Sequence, residues 1–320
     1  MRVLVTGGAG FMGSTLVRHL LKKGFEVHVL DALTYAGRVE NLIEVMEKIA
    51  FHLVDLRDFE ALYDTLKNVE PDLIFHLAAE THVDRGIKNP YPFLESNVRG
   101  TLHLLEVIRR LDLKATFTST DEVYGDLWGR PPCDEECPLK PSNPYSASKA
   151  AADMFTLSYI RTYGVEVNLV RPANNYGPRQ YPEKLIPRTI LRIMKGKKPL
   201  IHGTGKQIRS WLYVEDFAEG ITLVGLKGKK GEIYNLPGER ELSVLEVVKT
   251  ILRIMGKDEN WVEFTEDRPG QDMRYAMIGE KAKALGWSHK VPFEEGIKRT
   301  VEWYLNNEWW WRPLLSIEKI

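Results

Sequence analysis

The stretch "VLVTGGAGFMG" at residues 3–13 limits the fold more than any other part of the chain. A short β-branched run leads into glycines at positions 7, 10 and 13, and a helical pattern begins at once. With this spacing Gly7 permits a tight turn, Gly10 lets a pyrophosphate approach the backbone, and Gly13 lets the helix close on the strand. The helix behind the turn would offer N–H groups and a positive dipole end to phosphate. A turn of this kind sits at the carboxyl end of a strand in a parallel α/β sheet.

The rest of the first half supplies such a sheet. "RVLVT" (2–6), "EVHVL" (26–30), "AFHLV" (50–54), "DLIFHLA" (72–78), "ATFTST" (115–120) and "EVNLVR" (166–171) all read as buried strands. Helical patterns fall between them. Residues 11–23 carry Leu16, Val17, Leu20 and Leu21 on one face, and longer patterns occupy 92–111 and 145–163. The alternation predicts a doubly wound parallel sheet covered on both faces. Shorter strands and helices near 243–256 and 293–306 follow. The expected division is a cofactor domain at 1–172, rejoined by about 208–232, and a smaller α/β substrate-binding lobe from 173–207 and 233–320.

Asp31 ends the second strand in "VLDALTYAG". A carboxylate there suits the adenosine ribose hydroxyls and repels a 2′-phosphate, which favours NAD over NADP. Asp55 ends the third strand, where it reaches toward the adenine or caps the following helix. Ala78 and Ala79, in "HLAAETHVD", let a cofactor lie close to the backbone after the fourth strand.

Charge narrows the partners. Lys plus Arg and Asp plus Glu are equal at 44 each, which argues against nucleic acid or an anionic membrane. No apolar run approaches the roughly 18 residues a membrane helix requires. The N-terminus enters a strand without a signal-peptide layout, so the expected location is cytoplasmic. Cys133 and Cys137 lack the second Cys/His pair that a metal site would need. They read as reduced thiols, with a local disulfide as the alternative, and no metal is expected.

Two motifs carry chemistry. "YSASK" places Tyr145 and Lys149 four residues apart on one helical face. A phenol titrates near 10 and is a poor base at neutral pH unless positive charge lowers that value. The ammonium and a cationic nicotinamide would both do so. Tyr145 could then take a hydroxyl proton while hydride leaves the same carbon. "TSTDEVYG" adds Thr120, to hydrogen-bond the reacting oxygen, and two adjacent carboxylates, Asp121 and Glu122. Two acids after an apolar run are costly unless paired or functional. Once a sugar C4 is a ketone, Glu122 could remove the C5 proton while Asp121 protonates the departing C6 hydroxyl. Neighbouring like charges in a dry cleft push their pKa values apart, giving one acid and one base. A capping Asp beside a solvated Glu is the plainer alternative.

The glycine turn with the Tyr–Lys pair resembles the extended short-chain dehydrogenase/reductase superfamily. Along almost its whole length the chain resembles the dTDP-glucose 4,6-dehydratases, through "TGGAGFMGS", "DALTYAGRVENL", "HLAAETHVDR", "STDEVYGD", "NPYSASKAAAD", "NNYGPRQYPEKLIPR", "GKQIRSWLYVEDFA", "DRPGQDMRYA" and "NEWWWRP". The resemblance implies a Rossmann-like fold, a nucleotide-sugar substrate and a homodimer formed by a four-helix bundle of helices 92–111 and 145–163. Helix 145–163 also carries Met154, Phe155 and Leu157 beyond what one sheet face needs.

The resemblance further implies catalytic roles for Thr120, Asp121, Glu122, Tyr145 and Lys149. It implies NAD contacts from Gly7, Gly10, Phe11, Met12, Gly13, Asp31, Ala32, Leu33, Thr34, Asp55, Leu56, Leu77, Ala78, Ala79, Ser96, Tyr145, Lys149 and Asn175. Thr81, Thr120 and Asn174 would face the sugar, and Lys184 and Leu185 would line the diphosphate and nucleoside channel. Arg209 and Arg268 would hold the diphosphate, where a guanidinium fork suits phosphate oxygens. His202 stands where the family has a phenol, Val244 where it has Asn, and Gln271 where it commonly has His. All three fall at the nucleotide end, so thymine and uracil both remain open as the base. Another UDP-sugar enzyme of this branch, a UDP-glucose 4,6-dehydratase or a UDP-glucuronate decarboxylase, is the alternative reading. A decarboxylase has no use for an acid that protonates a C6 hydroxyl, and Asp121 counts against it.

Overall fold

The computed structural model describes residues 1–315. Its strands, in chain order, are β1 (Arg2–Thr6), β2 (Glu26–Asp31), β3 (Ile49–Leu53), β4 (Leu73–His76), β5 (Lys114–Thr118), β6 (Glu166–Pro172), β7 (Asn174–Tyr176), β8 (Leu200–His202), β9 (Ile208–Tyr213), β10 (Ile233–Leu236), β11 (Arg240–Ser243) and β12 (Glu263–Thr265). The helices are α1 (Phe11–Lys22), α2 (Phe59–Val69), α3 (Val83–Lys88), α4 (Tyr91–Phe93), α5 (Gly100–Leu111), α6 (Pro144–Tyr163), α7 (Leu185–Met194), α8 (Val214–Lys227), α9 (Val244–Ile254), α10 (Glu280–Ala284), α11 (Phe293–Asn306) and α12 (Glu308–Trp311).

Seven strands form one parallel sheet in the order β10-β6-β5-β4-β1-β2-β3. Strand alternation sends Val3, Val5, Val29 and Phe75 to one face, where α1 and α8 cover them with Leu16, Val17, Leu20, Phe217 and Ile221. Leu4, Leu30, Ile74 and Phe117 point to the other face, against Leu62 and Leu66 of α2 and Leu104, Leu105 and Ile108 of α5. Burial on both faces explains why these strands read as continuous apolar runs. The strand order reverses between β1 and β4. That places a crevice beyond the carboxyl ends of the strands, where open α/β sheets bind ligands.

A second core gathers Tyr176, Ile190, Ile201, Trp211, Val247, Ile251, Ile297 and Trp310. It joins the three-stranded sheet β11-β9-β7 and the β12-β8 pair to α7, α9 and α11. The aromatic tail packs here. Trp310 is fully buried, donates its indole N–H to Asn41 Oδ1 at 2.8 Å, and lies under the Arg38 guanidinium.

Two expectations are corrected. The chain returns to the large sheet one element later than the sequence suggested. β9 pairs with β7 and β11 in the small sheet, whereas β10, assigned to the second lobe, pairs with β6 in the large one. An apolar strand pattern does not name its partner. The helical stretch 92–111 is also interrupted, because Leu94–Arg99 forms a π-helical turn between α4 and α5. The wider turn carries Asn97 inward, to 1% exposure. Cys133 and Cys137 carry no disulfide, and Cys133 is buried.

Candidate active site

β1 delivers the chain to Gly7, whose φ is +69°. A Cβ there would lie 2.6 Å from the Ala78 nitrogen, so the glycine turn and the strand-end alanines require each other. At Gly13 a Cβ would meet the Gly7 carbonyl at 2.1 Å, which is how α1 closes on the strand. His76 is buried with its Nδ1 2.7 Å from Thr6 Oγ1, and that hydroxyl lies within reach of the Leu77 and Ala78 amides.

The first of two clefts lies over this turn. Gly7, Gly10, Phe11, Met12, Gly13, Asp31, Ala32, Thr34, Asp55, Leu56, Leu77, Ala78, Ala79 and Ser96 line it, together with Thr81, Thr120, Tyr145, Lys149 and Asn175. Leu33 is the exception. Its φ is +50°, its N–H bonds Asp31, and its side chain packs against the first core. Asp31 accepts the Ala9 N–H at 2.9 Å and the Leu33 N–H at 2.8 Å, so it organises the glycine turn as well as facing the cleft. Asp55 does not cap α2. Asp58 does, accepting the Ala61 N–H, while Asp55 pairs with Arg57 and is held below the usual carboxylate range by it.

The turn that carries Thr120, Asp121 and Glu122 follows β5. Thr120 Oγ1 accepts the Glu122 N–H at 3.3 Å and donates to Asp121 Oδ1 at 3.3 Å. Asp121 is 2% exposed, and burial, followed by the charge of Glu122, pushes its carboxyl up to about 8. Arg209 opposes that rise. Burial raises Glu122 as well, against Arg209, Lys184 and the Asn143 amide 3.4 Å away. The Tyr275 hydroxyl reaches Glu122 at 3.5 Å and Asp272 at 2.6 Å. Asp121 is therefore protonated near neutral pH, beside a carboxyl that cationic groups help to ionise.

Asn143 starts α6 with a reciprocal cap to Ser146, which fixes Tyr145 in the first turn. Both Tyr145 and Lys149 are buried, and Lys149 Nζ donates to the Thr118 carbonyl at 2.7 Å. Burial pushes Lys149 down to about 8, opposed by Asp153. The protein's own groups do not lower the Tyr145 phenol. Burial and the charge of Glu122 raise it, and only the Thr120 hydroxyl among the main contributors works downward. Lys149 is not among the main influences on the phenol, and its ammonium is directed to the Thr118 carbonyl.

The second cleft meets the first at Glu122, Asn174, Asn175, Gln180, Glu183 and Lys184. It continues past Leu185, Arg209 and Arg268 to His202, Val244 and Gln271. Lys184 Nζ donates to the Thr81 carbonyl at 2.8 Å. Arg209 is buried rather than in a surface ion pair. It is anchored on the Ile208 and Asp272 carbonyls, with its guanidinium 4.2 Å from the Tyr275 ring centre. Arg268 pairs through two nitrogens with Asp84 at 2.8 and 2.9 Å. No cluster of three metal-ligating side chains occurs among the described residues.

Sequence reasoning missed Asn143, Asp272 and Tyr275 as supports of Glu122, although all three lie within the motifs "NPYSASK" and "DRPGQDMRYA". It also passed over Tyr35, Glu80 and Glu183, which line the first cleft. Their partners are remote in sequence, so no local spacing reveals them.

The family profile described as GDP-mannose 4,6-dehydratase matches residues 4–300. The chain is 45% identical to dTDP-glucose 4,6-dehydratase 1 of Escherichia coli K12, across 97% of this chain and 94% of that protein. It is 42% identical to the dTDP-glucose 4,6-dehydratase of Mycobacterium tuberculosis H37Rv, across 98% and 96%. Among solved structures, DesIV of Streptomyces venezuelae, a dTDP-glucose 4,6-dehydratase with NAD and TYD bound, superposes with a TM-score of 0.95. It is 42% identical and covers 98% of this chain and 100% of its own. The UDP-glucose 4-epimerase of Thermus thermophilus, in complex with NAD, has a TM-score of 0.89 at 34% identity, over 96% and 100%. Dehydratase and epimerase thus share this fold, and the site must separate them.

Proposed function

The chain belongs to the GDP-mannose 4,6-dehydratase family, which here includes the dTDP-glucose 4,6-dehydratases, and from that premise we propose that it dehydrates a nucleotide-glucose, dTDP-glucose foremost, to the 4-keto-6-deoxy sugar. The observation that carries this reading is the buried Asp121–Glu122 pair beside Tyr145 and Lys149. An epimerase has no use for two such acids.

The first cleft fits NAD. Its glycine turn leaves no room for side chains, α1 begins there, and the Asp31 carboxylate that lines it suits ribose hydroxyls. NAD held there by the glycine turn and Asp31 would supply the hydride acceptor for C4 and, reduced, the hydride donor for C6. Tyr145 takes the proton of the C4 hydroxyl, with Thr120 holding that oxygen. Glu122 removes the C5 proton, made acidic by the ketone. Asp121, kept protonated by burial, gives its proton to the C6 hydroxyl, which leaves as water. Thr81 and Asn174 face the sugar, and Lys184, Arg209 and Arg268 face the diphosphate. His202, Val244 and Gln271 surround the base.

The large sheet forms the cofactor lobe and the second core the substrate lobe. Exposed Tyr91, Leu94, Met154 and Phe155 support pairing of two chains through α6 and the helical segment 91–111. No helix among the described residues is long and apolar enough to cross a membrane, and we place the enzyme in the cytoplasm.

The test is incubation of the purified protein with dTDP-glucose or UDP-glucose and catalytic NAD, followed by mass spectrometry. Loss of one water without net cofactor reduction is expected, faster for dTDP-glucose. Faster water loss from UDP-glucose would move the substrate to the uracil nucleotide. An intact sugar nucleotide in both reactions would overturn the reading.

A further inference from the structure

Where the two clefts meet, three segments remote in sequence converge on one carboxylate. Tyr35, on the loop after β2, donates its hydroxyl to Glu183 Oε1 at 2.9 Å. Arg85, on α3, brings its Nε to 3.3 Å from Glu183 Oε2 and lays its guanidinium 3.8 Å over the Tyr35 ring. His82 Nε2 lies 3.8 Å from the same oxygen, and Tyr181 meets the Tyr35 ring edge-on. The Glu183 side chain is 3% exposed.

None of these side chains has work in the chemistry above. Their positions do follow a pattern. Tyr35 lines the cofactor cleft from the loop that follows β2, and Tyr181 and Glu183 line it from the segment between β7 and α7. Glu183 also lines the substrate cleft and directly precedes Lys184. The Tyr35–Glu183 bond therefore ties two segments that line one cleft, and Arg85 on α3 braces the tie from a third.

The reaction creates a need for such a tie. It is neutral in electrons only if the cofactor reduced at C4 is still bound when hydride is needed at C6. A cofactor that escapes between the two transfers leaves the sugar stranded as a ketone. We propose that Tyr35, Glu183 and Arg85 form a latch that keeps the reduced cofactor in place between the two hydride transfers. This rests on the dehydratase reading above, and its test separates the two.

The full-length protein is loaded with NAD or NADH, and release is followed after rapid dilution for wild type, Y35F and E183Q. Loss of one hydrogen bond to a buried carboxylate is expected to speed release about tenfold. During turnover without added NAD, both variants should stop early and accumulate a sugar nucleotide two hydrogens lighter than the substrate. Added NAD should restart them. Y35F removes a single hydroxyl, so it carries the test if E183Q fails to fold. Wild-type release rates in Y35F would overturn the latch, as would a fall in melting temperature with unchanged release. A wild-type chain that holds NAD but loses no water overturns the dehydratase reading and removes the latch's purpose. A chain that holds no NAD overturns both.

Discussion

At the scale of single residues, the proposed function rests on the inequality between two neighbouring acids. It was legible in "TSTDEVYG" because two adjacent carboxylates after an apolar strand demand a reason. What the sequence did not reveal is that burial drives both carboxyls up, Asp121 to about 8, while Arg209 and Lys184 oppose the rise at Glu122. Those cations come from distant segments. Replacing Asp121 with Asn should slow water loss by about 10²–10⁴-fold, the usual contribution of a placed acid. C4 oxidation should persist, seen by stopped flow as transient cofactor absorbance. If reduction vanished as well, Asp121 would belong to the oxidation step. The same group sets a pH dependence. Below about 4 its side chain is protonated folded or unfolded. Between there and about 8 only the folded form keeps the proton, so stability falls as pH rises through that window and then levels off. Asn has no proton to lose. Melting curves should therefore show Asp121→Asn gaining on wild type from pH 5 to pH 9, and a pH-independent gap would contradict the assignment.

Elements were read from periodicity, and their extents held well where one face is apolar. α1 ends within a residue of expectation, and α11 matches it at both ends. The π turn at Leu94–Arg99 escaped because one extra residue barely disturbs an apolar pattern across 20 positions. Its consequence is mechanical. Asn97 Oδ1 accepts the Glu80 N–H at 2.8 Å, and its Nδ2 donates to the Glu80 carbonyl and to Ser148 Oγ, each at 2.9 Å. The helix thereby fixes the strand-end loop that carries Thr81 against α6, one residue before Lys149. Such turns are frequent at functional sites. Asn97→Ala leaves two backbone groups of Glu80 without their partner, which should cost about 2–5 kcal/mol. Urea denaturation measures this, and a loss below about 1 kcal/mol would mean that water or a shifted backbone replaces the amide.

On the scale of the whole molecule, the surface records what the single chain leaves uncovered. Scattered exposed apolar residues are ordinary, and Ile43, 61% exposed, is one example. Tyr91, Leu94, Met154 and Phe155 differ because α6 packs directly on segment 94–99, which brings them onto adjoining elements, at 73%, 52%, 49% and 39% exposure. In the sequence, helix 145–163 already showed more apolar surface than one sheet face could use. Which residues stayed uncovered depended on how α5 and the π turn sit against it, and that is tertiary information. A stable pair must cover about 800 Å² on each partner with an apolar centre, and two helical segments from each chain can supply that area. A charge at the centre would be buried without a counter-charge, so Phe155→Glu should separate the pair. Light scattering on the eluting protein should give twice the chain mass for wild type and the single-chain mass for Phe155→Glu. Ile43→Glu should behave as wild type. Paired mass retained by Phe155→Glu would place the contact on another face, and single-chain mass for wild type at micromolar concentration would refute pairing. The active-site turn lies at the opposite, N-terminal end of α6 from Tyr163. An intact monomer should therefore keep its catalytic cluster, and any loss of activity should appear with loss of stability rather than in place of it.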